Sequence, residues 1–254
     1  MTTIILVRHG ENDWVKKHRL AGWIPDIHLN ENGQKQAEAA AERLAHLPVK
    51  AIYSSPVLRC METAVYIANR HNLEITQLED IGEVRYGEWE GEKIKKLAKN
   101  PLWGVVQFFP SRMRFPQGEA LREVQFRAIQ ALEQLTQQHP DDLIVVVSHA
   151  DLIKLVLAHY LGVHIDLFQR IIISPASSSV LMLPANGHGV RVARINDDGP
   201  LQLPPKPSEK NSSEKKKKKK RENYYGSSAR IEPSHTPDDW NRRGTGQKNL
   251  FPAR

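Results

Sequence analysis

Apolar positions along this chain fall into two kinds of pattern. Residues 3–7 (Thr-Ile-Ile-Leu-Val) and 143–147 (Leu-Ile-Val-Val-Val) are short runs without polar alternation, the mark of strands buried on both faces. Residues 50–55 read as a further short strand, stopped by Pro56. Between these runs, apolar residues recur at helical spacing in residues 34–47, 61–71, 119–138 and 151–161. Asn32-Gly33 precedes the first helix and Pro48 ends it; Gly118 opens the third, and Gly162 stops the fourth. Residues 190–195 alternate toward a last strand. Strands alternating with helices predict an α/β fold: a single three-layer domain with a mostly parallel central sheet flanked by helices.

The residues that follow the strands change the picture from fold to chemistry. Arg8-His9-Gly10-Glu11 follows the first run, Arg59 lies just past the second, and Ser148-His149 ends the third. If these strands are parallel neighbours, both arginines and both histidines converge at their carboxyl ends, where open α/β sheets bind ligands. Guanidinium forks match phosphate oxygens. An imidazole can act as nucleophile near neutral pH, and a second can donate to phosphoryl oxygens as charge builds. Gly10 is expected to let a bulky anion approach the backbone. The helix opening after His149 points its N-terminal dipole at the same place.

Other phosphoryl chemistries lack their residues. No two aspartates are separated by a single residue, the only cysteine, Cys60, has Tyr66 where a loop arginine would be needed, and no P-loop motif is present. Metal ligation is not expected. There is no His-Glu-x-x-His or Cys-x-x-Cys pair, and the arginines beside His9 and His149 would repel a cation. No cofactor is implied.

The segments Leu6-Val7-Arg8-His9-Gly10-Glu11-Asn12, Ser54-Ser55-Pro56 with Arg59 and Glu62-Thr63-Ala64, Glu83 before Tyr86-Gly87-Glu88-Trp89-Glu90-Gly91, and Ser148-His149 occur in this order. In this arrangement the chain resembles the histidine phosphatase superfamily, with its phosphoglycerate mutase-like fold, over residues 4 to about 196. Leu102-Trp103, Phe115-Pro116-Gln117-Gly118-Glu119 and Asp166-Leu167-Phe168-Gln169-Arg170 look like a bacterial subfamily described as "probable phosphomutase". The resemblance implies that His9 forms a phosphohistidine and that Arg8, Arg59, Asn12 and His149 hold the phosphoryl group. It also implies that Glu83 protonates the leaving oxygen and then activates water. A carboxyl doing so near pH 7 needs a raised pKa, supplied by burial or by carboxylate neighbours, for which Glu88 and Glu90 are the nearest in sequence.

The implied activity is hydrolysis of a small phosphorylated metabolite. The alternatives are a phosphomutase and a non-catalytic phospho-ligand scaffold. Mutases of the family carry Asn after the Trp of the first motif, where this chain has Val15 after Trp14, and a longer insertion after the Glu83 motif. Arg19-Leu20-Ala21-Gly22-Trp23 is mutase-like. The segment 93–114 has six basic residues and no acid, interleaved with Trp103, Phe108 and Phe109. By family resemblance it would cover the pocket and favour an anionic substrate. The bland alternative is an amphipathic helix with a solvated lysine face.

Charge divides the chain. Residues 1–196 hold 22 Lys+Arg against 21 Asp+Glu, whereas residues 197–254 hold 14 against 8. The catalytic domain is therefore assigned to 1–196, and 197–254 to a disordered, proline-rich tail. The basic run 215–221, opened by Lys215 and closed by Arg221, is either a solvated extension or a weak contact for a polyanion or acidic partner. No secretory signal and no run near the ~20 apolar residues of a membrane span are visible. One cysteine excludes an internal disulfide framework, and a reducing cytoplasm is the expected compartment. Nothing in the sequence specifies an oligomeric state.

Overall fold

Alternate residues of the central strands serve opposite faces of one sheet. Ile4, Leu6, Ile144 and Val146 enter one buried cluster, while Ile5, Val7, Val145 and Val147 enter another. Period-two side-chain geometry with both faces buried is why these runs lack polar alternation. The computed structural model describes residues 1–185 and 189–199. In chain order its elements are β1 (Thr2–Arg8), α1 (Asp13–Lys16), α2 (Glu31–Leu44), β2 (Val49–Ser54), α3 (Leu58–His71), β3 (Ile75–Gln77), α4 (Ile94–Leu97), α5 (Trp103–Phe108), α6 (Leu121–Gln138), β4 (Leu143–Ser148), α7 (Ala150–Tyr160), β5 (Ser178–Leu183) and β6 (Arg191–Asp197). The sheet order is β3-β2-β4-β1-β5-β6. The strands from β3 to β1 run parallel, and β5 and β6 add antiparallel pairs at the other edge.

The layers follow from the clusters. Leu121, Val124 and Leu132 of α6 and Leu152 and Val156 of α7 pack on the Ile4/Leu6 face. Ala41 and Leu44 of α2 and Ala64 and Ile67 of α3 pack on the Ile5/Val7 face. This is the α/β three-layer architecture expected from the sequence. Two strands lacked a sequence signal. β3 is only three residues long, and β5 opens with buried serines, Ser178 and Ser179, that do not read as a strand. β6 extends to Asp197, and the Asn196 side-chain oxygen accepts from the Ser174 amide at 2.5 Å.

The helix expected at 34–47 starts earlier. Asn30 caps α2 by accepting from the Gly33 amide at 2.8 Å, so Gly33 lies in the first turn rather than in a loop. A Cβ there would strike the Glu11 carbonyl, so glycine permits the loop after β1 to lie against the helix. The basic segment 93–114 resolves toward its bland alternative. Leu97 and Val106 are buried in the main cluster, and Trp103 stacks on Trp89 with centroids 6.3 Å apart. Its lysines are exposed. No helix among the described residues is long and apolar enough to cross a membrane. The lysine-rich run and the proposed disordered tail beyond Gly199 lie outside the described residues.

Candidate active site

β2, β4 and β1 are parallel neighbours, and β1 ends at Arg8 in register with Ser148 of β4. The loops leaving these strands therefore meet. His9 follows β1, Ser55 follows β2, Arg59 sits in the first turn of α3, and His149 joins β4 to α7. His9 and Arg59, with Arg8, Asn12, Glu83 and residues farther out, line a cavity of about 340 Å³, whereas Ser55 and His149 are fully buried and do not line it. Arg59 is fully buried beneath it.

His9 has a defined tautomer. Its Nδ1 lies 2.7 Å from the Gly10 carbonyl, which can only accept, so Nδ1 carries the proton and Nε2 keeps its lone pair. Arg59 Nε donates to that Nε2 at 3.2 Å. Burial first, then the Arg59 and Arg8 charges, hold His9 well below the usual histidine pKa, which keeps the ring neutral. The rings of His9 and His149 meet edge-on with centroids 5.3 Å apart. His149 Nδ1 lies 3.1 Å from Arg59 Nη2 and must accept, so its Nε2–H donates to Ser55 Oγ at 2.8 Å. Burial, Arg59 and His9 depress the pKa of His149 as well.

Of the buried donors without a partner among the described residues, three belong to this site: Arg8 Nε, Arg59 Nη1 and Asn12 Nδ2. All three residues line the cavity that His9 lines. Unpaired buried donors cost free energy unless a ligand satisfies them. Neighbouring donors of the same groups are committed: Arg8 Nη1 to Ile173 O at 2.6 Å and Arg59 Nη2 to Gly22 O at 2.9 Å. Asn12 Oδ1 caps α1 by accepting from the Trp14 and Val15 amides. What remains is a set of unpaired donors on residues that line one cavity, the complement of an anion. A wider, open depression of about 710 Å³ is lined by Glu11, Asp13, Asp26 and Glu31, a charge that would repel one.

Glu83 approaches from the loop after β3. Its Oε1 accepts from the Val84 amide at 3.0 Å, and its Oε2 lies 3.7 Å from His149 Nδ1 and 4.0 Å from Arg59 Nη2. Burial, and next the Asp151 carboxylate, raise its pKa to about 7, against the pull of Arg59. The carboxylate neighbour is thus Asp151 rather than Glu88 or Glu90. Glu88 is exposed, and Glu90 accepts from the Tyr86 amide at 3.2 Å. Asp151, Tyr86, Lys154, Arg19 and Gln169 also line the cavity and were not found by sequence reasoning. For Asp151 a signal existed, since the first turn of a helix opening at His149 had to lie beside the site.

Two expectations need correction. Gly10 does not make room for an anion: a Cβ there would fall on the Gly33 carbonyl, so the glycine serves the close approach of α2. Nor does the segment 93–114 contribute to the cavity lining: Leu97, Val106 and Trp103 pack on the core, while Phe108 and Phe109 are exposed away from that lining. The outer wall is built instead from Val15 to Ala21 and from Gln169 to Ile173.

Residues 4–198 match the histidine phosphatase superfamily (branch 1), and the chain belongs to that family. It is similar to phosphoserine phosphatase 1 of Hydrogenobacter thermophilus, at 33% identity over 183 residues, 71% of this chain and 86% of that protein. It is also similar to the 2,3-bisphosphoglycerate-dependent phosphoglycerate mutase of Thermoplasma acidophilum, at 28% identity, covering 71% of this chain and 87% of that one. Among solved structures, a phosphoserine phosphatase mutant from Entamoeba histolytica in complex with phosphoserine superimposes with a TM-score of 0.70 at 26% identity, covering 80% of this chain and all of that one. The chain is a phosphomonoester hydrolase of the histidine phosphatase type, in a family that also holds phosphomutases.

Proposed function

We propose that His9 is the nucleophile and Glu83 the proton donor in hydrolysis of a small phosphorylated acid. The observation that carries the assignment is the set of unpartnered buried donors, Arg8 Nε, Arg59 Nη1 and Asn12 Nδ2, on residues that line the same cavity as the neutral His9. In the first step His9 Nε2 attacks phosphorus, the bond from phosphorus to the leaving oxygen breaks, and Glu83 gives that oxygen its proton. In the second step water attacks phosphorus, the N–P bond breaks, and the water proton passes to Glu83 as inorganic phosphate forms. Arg8, Arg59 and Asn12 hold the phosphoryl oxygens through both steps; His149, bonded to Arg59 and to Ser55, keeps Arg59 in place and reaches a phosphoryl oxygen only by giving up its bond to Ser55. A pKa of about 7 suits a carboxyl that must give and then take a proton at neutral pH.

Lys154 and Arg19, farther out in the same cavity, supply cations for a substrate acid group. Phosphoserine and phosphoglycerates are the first compounds to try, since the relatives above are named for these substrates. We assign the enzyme to the cytoplasm on its single unpaired cysteine, and the charged run 215–221 to a weak contact with polyanions. Phosphate release should persist with chelator present and vanish in His9→Ala. Equal rates in the two proteins would refute the nucleophile.

The mutase reading is favoured by the phosphoglycerate mutase relative and by the Arg19-to-Trp23 segment, part of which lines the cavity. Feeding one phosphoglycerate isomer and finding the other, with no inorganic phosphate, would decide for it.

A further inference from the structure

Asp151 takes no part in the chemistry above, yet it and Glu83 are the two carboxylates among the described residues that line the cavity. Its position follows from the strand end: α7 opens at Ala150, directly after His149, so its first turn overhangs the site. Two donors hold it, one from its own helix and one from the loop after Glu83. Tyr86 Oη donates to Asp151 Oδ2 at 2.9 Å, and Lys154 Nζ donates to Oδ1 at 3.0 Å and to Gln169 Oε1 at 3.2 Å. Burial alone would push the Asp151 carboxyl upward, but Lys154 and the Tyr86 hydroxyl outweigh it and keep the group ionised. Tyr86 stands three residues after Glu83 on one loop, so the hydroxyl that grips Asp151 also ties it to the Glu83 segment.

The groups facing Glu83 come from every side. His149 Nδ1, Arg59 Nη2 and the Val84 amide lie within 4.0 Å of its carboxylate oxygens, and Arg127 Nη2 donates to its backbone carbonyl at 2.9 Å. Arg8 lies along the same cavity wall. Arg59, the Val84 amide and Arg8 favour the ionised carboxylate, and burial and Asp151 oppose them. We propose that Asp151 is a positioning residue for hydrolysis, a partly buried carboxylate held by Tyr86 and Lys154 on the cavity wall it shares with Glu83, that keeps Glu83 in the protonated form the leaving oxygen needs. It acts through Glu83 and touches neither His9 nor phosphorus. The proposal rests on the reading of Glu83 as proton donor.

The test compares kcat/KM for an alkyl phosphate lacking amine and carboxylate groups, such as glycerol 2-phosphate, with that for an aryl phosphate. An aryl oxide leaves without a proton, so the alkyl-to-aryl ratio reports on the proton donor, and comparing each variant with the parent at the same pH cancels substrate ionisation. In Asp151→Asn the ratio should stay within about twofold of the parent near pH 5.5 and fall about tenfold below it near pH 8. Asp151→Glu should restore the parent profile. Lys154→Met removes the compensating cation and should move the falling limb the opposite way, to higher pH. Equal losses on both substrates at every pH, or a change confined to KM, would overturn the proposal. If Asp151→Asn does not fold, an unchanged ratio profile in Lys154→Met overturns it instead. A Glu83→Gln variant separates the two readings. If its ratio matches the parent, the proton-donor assignment fails; if its ratio collapses while Asp151→Asn leaves the limb unmoved, only the Asp151 proposal fails.

Discussion

The inner end of the cavity takes its groups from the ends of neighbouring parallel strands or the helix turns that follow them, as His9 and Arg59, with His149 bonded to Arg59, show. The outer end is lined by residues 15–21, the outward face of α7 and residues 169–173. At the inner end the groups are buried and cross-bonded, so their geometry is set before substrate arrives. At the outer end Ile172 is 71% exposed, and Arg19 is held by stacking on Trp14 and by donation to the Gly91 carbonyl. The difference separates chemistry from selection. A sheet edge fixes phosphoryl transfer, and the loops beyond it decide which phosphate ester enters.

The largest effect should follow loss of the inner nucleophile. His9→Ala is expected to lower kcat at least about 1,000-fold on alkyl and aryl esters alike, measured as phosphate release. A loss confined to alkyl esters would break the assignment. Glu83→Gln comes next. It should cost about 100-fold or more on alkyl esters and only a few-fold on aryl esters. The same substitution should also change stability, with a definite sign. The folded-state pKa of Glu83 is raised from 4.5 to about 7, so its stabilising contribution is complete below 4.5 and lost as pH rises through 7. Glu83→Gln should therefore gain stability over the parent across that window, by on the order of 3 kcal/mol at pH 8. Denaturant melts at pH 5 and pH 8 read this directly, and a variant less stable than the parent at pH 8 would contradict the burial argument.

Changes at the outer end should be smaller and fall on KM. Ile172→Ser should raise KM a few-fold with kcat within about twofold, because an exposed rim residue contributes binding alike to substrate and transition state. A large fall in kcat would mean that the rim takes part in the chemistry. The smallest effect is expected from removing the chain after Gly199. We propose that the catalytic unit ends near Asn196, but β6 runs to Asp197, whose carbonyl accepts from Arg43 Nη2 at 3.4 Å, so the cut belongs beyond that strand. The shortened protein should keep its melting temperature and kcat, and any polyanion affinity of the full chain should weaken steeply with salt.

Legibility from sequence follows the same division. Arg8, His9 and His149 could be read because each lies within two residues of the end of an unbroken apolar run, and such runs are buried parallel strands whose ends share one edge. Arg59 and Glu83 needed the family resemblance as well. Asp151, Lys154 and Tyr86 were missed because their convergence depends on how α7 and the loop 83–90 lie against each other, which no local period encodes. Gly10 and Gly33 were misplaced for a related reason, since each is required by a backbone contact distant from any turn signal. The lysines of 93–114 read equally well as a pocket cover or a solvated face. Only the burial of Leu97 and Val106 decides between them.

The central claim is that the phosphoryl group passes through His9. Mixing the enzyme with an aryl phosphate, quenching in alkali on the millisecond scale and mapping the peptides by mass tests it most directly, because a phosphohistidine survives base and is lost in acid. The account predicts one phosphoryl group on His9 in the parent and none in His9→Ala. Full-rate phosphate release with no phosphorylated peptide, or a phosphoryl group still found in His9→Ala, would contradict it.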